Sequence, residues 1–344
     1  MITRSIGLHG ALFVAAAVLG LRTWTSEDEP NKNPVAAELW SGRISDLQRI
    51  EFRTDKKLVS LEPKEDALGR YYVGSTQALK PPPNASTGPD AGAAAPAAPP
   101  VDETPKRFIS LSKSDELAKS LVTLKASRVL GKLNKERLGE FGLEKNDQGT
   151  LEVVLAGKKH TLTLGEKTPG GSDRYVQNPE TGEAYVISGS IANDLQSADS
   201  RLVERDFHDF GDVKIAKVVL RAGDKSREIV RHAEEKDFWS RPDSPETKDE
   251  TVSNWMTKID RLKVTNYVET LEPAGKPEDL VVRVEYQAEG GRPLGYLELS
   301  RRPSADPKEK TEYVARSEHS RWYATVLRST GEQIDQDLAS VLTP

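Results

Sequence analysis

The chain of 344 residues contains no cysteine. That absence excludes disulfide bonds, thiolate metal sites, a cysteine nucleophile and a lipidated N-terminal cysteine. Hydrophobic residues are also scarce, at 36%, whereas charged residues reach 30%, so the chain is more polar than an average soluble domain. The formal net charge of −5 argues against nucleic acid as a partner, because an acidic surface repels phosphate. The length still allows roughly one to three domains with modest cores.

Sequence motifs of known chemistry are missing as well. The chain has no Gly-x-Ser-x-Gly elbow, no phosphate-binding loop and no dinucleotide-binding fingerprint. Its five histidines are His9, His160, His208, His232 and His319, and none lies at metal-ligand spacing from another histidine or a carboxylate pair. We therefore predict no catalytic, cofactor-binding or metal-binding residue and no enzymatic activity. An envelope hydrolase whose carboxylates converge from separate strands stays open as an alternative.

A few polar and aromatic residues still call for an interpretation. Asp206 and His208 lie two residues apart and could share one face of a strand. We interpret them as an ordinary surface hydrogen bond and not as a catalytic pair. Trp40 lies in a polar stretch and is a candidate for a contact with a membrane or a partner. Three other tryptophans lie in periodic apolar patterns that predict core positions, namely Trp239, Trp255 and Trp322.

The first 25 residues contain a long apolar run. It extends from Ile6 to Leu21 with one interruption and follows the positive charge of Arg4. At about 1.5 Å per residue it spans roughly 25 Å, which is enough for a thin bilayer. We predict a single-pass membrane anchor in residues 1–25, followed by a tether in residues 26–43. The charges place the N-terminus in the cytoplasm and the bulk outside it. A cleaved signal peptide and a buried helix are the alternatives.

Two segments of the chain repeat one helical pattern. The pattern is an apolar stripe formed by Leu117, Leu121 and Leu124 in the first segment and by Trp255, Ile259 and Leu262 in the second. The offset from Leu117 to Trp255 also separates Tyr175 from Tyr313 and Tyr185 from Tyr323. A constant offset across helix and strands indicates a duplicated unit. We predict an α+β fold of two tandem units, residues 44–208 and 209–344, each mostly antiparallel sheet with one main amphipathic helix and short extra helices.

Alternating apolar residues mark the strands of both predicted units. In the first unit they predict strands at 47–53, 58–62, 71–73, 128–130, 151–155, 160–165, 174–176 and 184–187. In the second unit they predict strands at 216–221, 227–231, 238–239, 280–286, 294–299, 313–314 and 322–323. Short helices are predicted at 135–141, 190–195 and 331–338. Residues 80–106 are rich in proline and alanine, so we predict a disordered insertion within the first unit.

The order of these elements resembles a known bacterial family. The resemblance lies in Glu140-Phe-Gly-Leu143, the strand at Leu151, the Leu-Thr-Leu-Gly-Glu-Lys-Thr run that ends at Thr168, Arg174-Tyr-Val and Ala184-Tyr-Val-Ile. With these elements the chain is similar to DUF4340, a family of domains of unknown function. The likeness covers roughly Ile44 to Leu202, and more loosely Asp212 to Leu342, where Ser300-Arg-Arg stands in place of Gly165-Glu-Lys. The resemblance implies a membrane-anchored envelope protein associated with ABC transporters of the gliding-motility auxiliary type, and it supplies no catalytic residue. With the predicted anchor, it implies a bacterial inner membrane protein whose bulk lies in the periplasm.

These observations together favour a non-enzymatic module. The resemblance and the apolar N-terminal run imply an auxiliary or scaffold subunit of an ABC transporter complex, with transporter permease or auxiliary subunits as partners. Two other hypotheses stay open. One is an extracytoplasmic ligand-binding protein with a cleft between the repeats, and the other is the envelope hydrolase described above.

Overall fold

The computed structural model describes residues 36–79, 104–144, 148–232, 237–268, 279–303 and 311–343. The predicted anchor at 1–25 lies outside these residues, as do the first part of the tether and residues 80–103 of the predicted insertion. Within the described ranges, no helix combines the length and the apolar character that a membrane crossing requires.

The described residues form a mostly antiparallel α+β fold. The strands are β1 (Ala37–Ser41), β2 (Leu47–Arg53), β3 (Lys57–Asp66), β4 (Gly69–Ala78), β5 (Lys106–Ser110), β6 (Thr123–Ala126), β7 (Arg128–Lys132), β8 (Thr150–Leu155), β9 (Lys158–Lys167), β10 (Arg174–Gln177), β11 (Glu183–Ile187), β12 (Lys217–Ala222), β13 (Lys225–His232), β14 (Phe238–Arg241), β15 (Ser244–Lys248), β16 (Asn266–Val268), β17 (Leu280–Gln287), β18 (Pro293–Pro303), β19 (Thr311–Ser317) and β20 (Tyr323–Thr325). The helices are α1 (Ser112–Val122), α2 (Lys135–Glu140), α3 (Gly189–Gln196), α4 (Ala198–Arg201), α5 (Glu250–Asp260) and α6 (Arg328–Val341).

The chain divides into two compact units. The smaller unit takes the described residues within 1–41, 123–148 and 162–189, and the larger unit takes those within 42–122, 149–161 and 190–344. In the smaller unit, β1 pairs with β6, and the end of β9 continues into β10, β11 and β7. Its helix α2 begins after Asn134, whose side chain accepts a hydrogen bond from the Arg137 N–H, and gives way to Gly142 at a φ of +66°.

The larger unit contains the start of one nine-stranded sheet and the whole of another. The first sheet has the order β5-β4-β3-β2-β8-β9-β10-β11-β7. Helix α1 packs on β2, β4 and β8, and its buried stripe includes Leu117 and Leu121. Leu124, which we predicted in the same helical stripe, lies in strand β6, because the helix ends at Val122. The antiparallel pairing of β2 with β8 places Ile50 opposite Val153, and both side chains lie in the core.

The second sheet has the order β15-β14-β13-β12-β17-β18-β19-β20-β16. Helices α5 and α6 pack against each other over this sheet, and Trp255 at their contact is almost completely buried. Its indole N–H donates a hydrogen bond to the Ile334 carbonyl (2.9 Å), so the ring fills the core without an unsatisfied donor. Two residues of the predicted second stripe, Trp255 and Ile259, therefore lie on the buried face of α5, whereas Leu262 was wrongly included, because the helix ends at Asp260.

Several segments differ from the prediction. Residues Ala37–Ser41, which we expected in a tether, form strand β1, and Trp40 within it is only 8% exposed. Trp40 is thus a buried residue and does not present a free ring to a membrane or a partner. Lys106, the last residue of the predicted insertion, begins strand β5. Strand β15 was also missed, because all five of its residues are exposed and it has no apolar alternation.

The N-terminus of α5 carries a partly buried ion pair. Asp249 accepts a hydrogen bond from the Val252 N–H (3.0 Å) and so caps the helix. The Arg227 guanidinium donates to the other oxygen of Asp249 at 2.8 Å, and these two side chains are only 11% and 13% exposed. Burial raises the pKa of Asp249, but the Val252 N–H and Arg227 outweigh it and hold the pKa below its usual range.

We predict that Asp249→Ala lowers the free energy of unfolding by about 2–4 kcal/mol at neutral pH, because the cap and the ion pair are lost together. Asp249→Asn retains an oxygen for the cap and should cost clearly less. Equilibrium urea unfolding measures both. Asn134→Ala, which removes the exposed cap of the short helix α2, is the matched control and should cost about 1 kcal/mol or less. Equal losses for Asp249→Ala and Asn134→Ala would contradict this account.

A candidate binding cleft between two edge strands

Two short strands of the larger unit lie near each other at the edges of their sheets. Strand β5 ends the first sheet and β16 ends the second. The chain between α4 and β12 links them, since the Glu204 N–H donates to the Ile109 carbonyl (2.8 Å) and the Val264 N–H donates to the Arg205 carbonyl (2.9 Å). Beside this link lies a cleft of about 560 Å³, a volume typical of small-molecule sites. We call it the junction cleft, and its lining is formed by Thr76, residues 104–108, Asp199, Val203, Arg205 and residues 265–268.

The apolar part of the junction cleft comes from aromatic and aliphatic side chains. Phe108 is buried in β5, and Tyr267 is half-buried in β16. The Tyr267 hydroxyl donates to the Glu204 carbonyl (3.0 Å), and its ring meets Trp322 edge-on with the ring centroids 6.3 Å apart. Burial, followed by the nearby charge of Glu204, raises the pKa of Tyr267. The phenol therefore stays neutral at ordinary pH and adds no negative charge to the cleft.

Among the described residues, three cationic side chains line the same cleft. The Arg205 guanidinium donates to the carbonyls of Val264 (3.0 Å), Thr265 (3.3 Å) and Asp199 (3.1 Å). These acceptors are neutral, so the positive charge of Arg205 is held in place without being cancelled. Arg107 lies over the Trp322 ring, with its guanidinium carbon 5.5 Å from the ring centroid. Lys106, the third cation, is exposed at the start of β5.

The one carboxylate among the described lining residues is matched by a cation from outside the lining. Asp199 accepts a hydrogen bond from the Lys57 ammonium at 3.0 Å. Burial raises the pKa of Asp199, but the hydrogen bond and charge of Lys57 outweigh it and lower the pKa. Asp199 therefore stays ionised and paired, and the described part of the lining keeps the positive charge of Lys106 and Arg205.

The turn between β19 and β20 ties the second half of the chain to the segment that precedes it. The consecutive residues Glu318 and His319 form two crossed pairs. The Glu318 carboxylate lies 3.3 Å from Nδ1 of His208, and the Glu204 carboxylate lies 3.7 Å from Nε2 of His319. All four side chains are mostly buried. The turn is thus held from both sides by histidine–carboxylate contacts.

The same turn reaches the first sheet through an arginine. Arg321 donates to both carboxylate oxygens of Asp66, at 2.7 and 3.2 Å. Its guanidinium carbon also lies 4.7 Å from the ring centroid of Tyr71. Arg321 adopts a φ of +59°, a conformation that residues other than glycine rarely take. The ion pair and the ring contact supply interactions that offset this local strain.

His208 has the surroundings of a fixed imidazole. Its ring stacks on Phe210 at 4.8 Å and meets Tyr286 edge-on at 4.6 Å between centroids. Its Nε2 is buried and has no hydrogen-bond partner among the residues that the structure describes. A histidine oriented by a carboxylate is one half of a nucleophile-activating arrangement, but no described hydroxyl contacts Nε2 here. Across the described ranges, no three His, Asp or Glu side chains converge as metal ligands would.

Asp206 and His208, which we interpreted as a hydrogen-bonded pair, contact different partners in the structure. Asp206 contacts the Lys263 ammonium, and His208 contacts Glu318, so the expected hydrogen bond between Asp206 and His208 was wrong. The reason is that Glu318 is 110 positions away in sequence, where no spacing rule reaches. Trp239 and Trp255 are buried as predicted. Trp322 is only half-buried and stands beside the junction cleft instead of in the core.

Comparison with known proteins yields one family. A family model described as Domain of unknown function (DUF4340) matches residues 109–281, which is half of the chain. The match begins in β5 and ends in β17, so it covers the later part of the Ile44–Leu202 likeness and the first part of the looser Asp212–Leu342 likeness. No curated protein and no solved structure matches the chain.

The Glu204 pair gives a pH-dependent prediction. Burial raises the pKa of Glu204, but the hydrogen bond to His319 and the Asp206 N–H outweigh it, and the pKa is lowered. A carboxylate with a lowered folded-state pKa stabilises the fold above its unfolded-state pKa of about 4.3, and this contribution is lost as pH falls through the folded-state pKa. Glu204→Gln should therefore lower the free energy of unfolding by about 1–3 kcal/mol at pH 7 and by much less in acid.

Urea unfolding at pH 3, 5 and 7 tests this prediction on the wild type and Glu204→Gln. Glu116→Gln is the control, because Glu116 forms only an exposed ion pair with Lys113 on α1. A loss of stability for Glu204→Gln that stays constant over the whole pH range would rule out the proposed role of the carboxylate charge.

Proposed function

The chain belongs to the DUF4340 family, and from this premise we propose that it is a non-enzymatic, membrane-anchored module that binds a ligand outside the cytoplasm as an auxiliary subunit of an ABC transporter complex. One observation carries the ligand-binding role. The junction cleft has the volume of a small-molecule site, an apolar lining and a few positively charged groups held in fixed positions. The association with a transporter rests on the resemblance to the family, and the anchor rests on the apolar run from Ile6 to Leu21.

We further propose that the two halves of the chain arose by tandem duplication. The two strand orders support this proposal, because each position of the first sheet has a counterpart of the same rank in the second. Thus β2 corresponds to β12, β5 to β15 and β7 to β16. Helix α1 follows β5 as α5 follows β15. The constant sequence offset between Leu117 and Trp255 fits the same alignment.

A scaffold role without a ligand is the second candidate. Strand β15 favours it, because this edge strand of the second sheet is exposed along all five residues. Exposed edges can pair with a strand from another protein. The two candidates share the membrane complex and differ in whether the junction cleft must be occupied.

Co-purification tests the place of the protein in a complex. The full chain, tagged at its C-terminus and extracted in a mild detergent, should bring down a transporter permease that mass spectrometry identifies. The double variant Lys158→Gln with Lys225→Gln, which removes two exposed charges outside the cleft lining, is a control that should leave recovery unchanged. Recovery only as a free monomer, with no membrane partner, would count against the auxiliary role.

Membrane fractionation tests the anchor separately. The full chain should stay in the membrane pellet after alkaline carbonate washing, because a spanning helix resists extraction by charge disruption. A variant that carries a cleavable signal peptide in place of residues 1–25 should appear in the soluble periplasmic fraction. Release of the full chain by carbonate would show that residues 1–25 do not span the membrane.

A further inference from the structure

We propose that the junction cleft binds a small organic anion whose negatively charged group is attached to an apolar body. This inference rests on the proposed ligand-binding function and adds the chemical class of the ligand. It follows from three features of the cleft: the sign of its charge, the character of its lining and the way in which nearby acids are neutralised.

The charge of the cleft is opposite to that of the whole chain. The protein has a formal net charge of −5, yet the lining, as far as its residues are described, contains Lys106, Arg107 and Arg205 against the carboxylate of Asp199. Asp199 is paired with Lys57, which lies outside the lining. Positive groups in a concave, partly apolar site concentrate their field there, so an anion is favoured over a neutral or cationic ligand.

Two of the described acids in the surrounding elements have cationic partners of their own. Asp206 pairs with Lys263 and Asp66 with Arg321. These two carboxylates therefore contribute little repulsion to an incoming anion. Arg205 is held by three neutral carbonyls and needs no movement to face a negative group. A site that is ordered before binding loses less conformational entropy when the ligand arrives.

The apolar lining favours a ligand that has an apolar body in addition to its charge. Phe108 and Tyr267 present ring surface on opposite edge strands, and Val203 and Val268 add aliphatic contact. The phenol of Tyr267 uses its hydroxyl on the Glu204 carbonyl, so the ring and not the hydroxyl is offered to the cleft. An inorganic anion would fill only the cationic part, whereas an anion with an aromatic or aliphatic body would also remove this surface from water.

Matched probes with one body and three headgroups test the ligand class. The full chain, reconstituted in nanodiscs of phosphatidylcholine, is titrated by calorimetry with naphthalene-2-sulfonate, 2-naphthalenemethanol and (2-naphthylmethyl)trimethylammonium, and heats for empty nanodiscs are subtracted. We expect the sulfonate to bind about tenfold or more tightly than the alcohol, with no saturable binding of the cation. Inorganic phosphate alone should bind far more weakly than the sulfonate.

A charge-removal variant locates the binding. Lys106→Gln combined with Arg107→Gln should weaken sulfonate binding about tenfold or more, and added salt should weaken the wild type in the same direction. Lys158→Gln with Lys225→Gln removes two exposed charges outside the cleft and should leave the Kd unchanged. Circular dichroism and the urea midpoint check that each variant folds. If the double cleft variant is unstable, Lys106→Gln alone and the salt titration decide.

Two sources of such an anion are distinguished by the lipid. If the natural ligand is a lipid headgroup with its chains, nanodiscs of phosphatidylglycerol should compete and raise the apparent Kd of the sulfonate. If the natural ligand is a dissolved anion, these nanodiscs should leave that Kd unchanged. Either result supports the proposed class.

Equal binding of alcohol and sulfonate, or a Kd unaffected by the cleft variant, would overturn the anion inference while leaving co-purification with a transporter untouched. A loss of the transporter partner with intact sulfonate binding would instead defeat the proposed function.

Discussion

The contacts of the β19–β20 turn hold the cleft together. Within a few residues, Glu318, His319 and Arg321 reach His208, Glu204 and Asp66, which lie in other parts of the larger unit. Each contact joins a charged or titratable group to a partner that is at least partly buried. Removing one member leaves the other without compensation in a low-dielectric setting, so such contacts fix relative position more strongly than surface ion pairs do. Trp322, the next residue along, is thereby placed against Arg107 and Tyr267.

The electrostatic character of the junction cleft follows from the same pairing. Arg321 of the turn pairs with Asp66, while Lys57 and Lys263 pair with Asp199 and Asp206. Among the described lining residues the remaining charge is then mainly that of Lys106 and Arg205, although the chain as a whole is acidic. Composition alone argued against a polyanion partner, and that argument still holds for an extended surface. The charge of a local site can have the opposite sign to the net charge of the chain, because the local field depends on which charged groups lie there and which of them are paired.

Local patterns predicted the elements far better than their assembly. Helix α5 and its buried stripe at Trp255 and Ile259 were predicted from a 3.6-residue period, and the hairpin strands β8 and β9 from alternation. Strand β15 was missed because Ser244–Lys248 bury nothing and so carry no period. The cleft could not be predicted, since its cations are ordinary surface residues in sequence. Lys106 and Tyr267 come together only through edge strands of two different sheets, a fact that needs topology and not spacing.

The junction cleft lies between strands that are not counterparts in the proposed duplication. Strand β5 of the first sheet lies near β16 of the second, whereas the counterpart of β5 is β15. Strand β15 is the other edge of the second sheet. It is poorly suited to pairing, because it contains Pro245, which lacks an N–H donor, and the charged Glu246 and Lys248. A partner strand would find an obstructed edge there. The physical argument therefore favours the ligand-binding candidate over a scaffold that works by strand addition at β15.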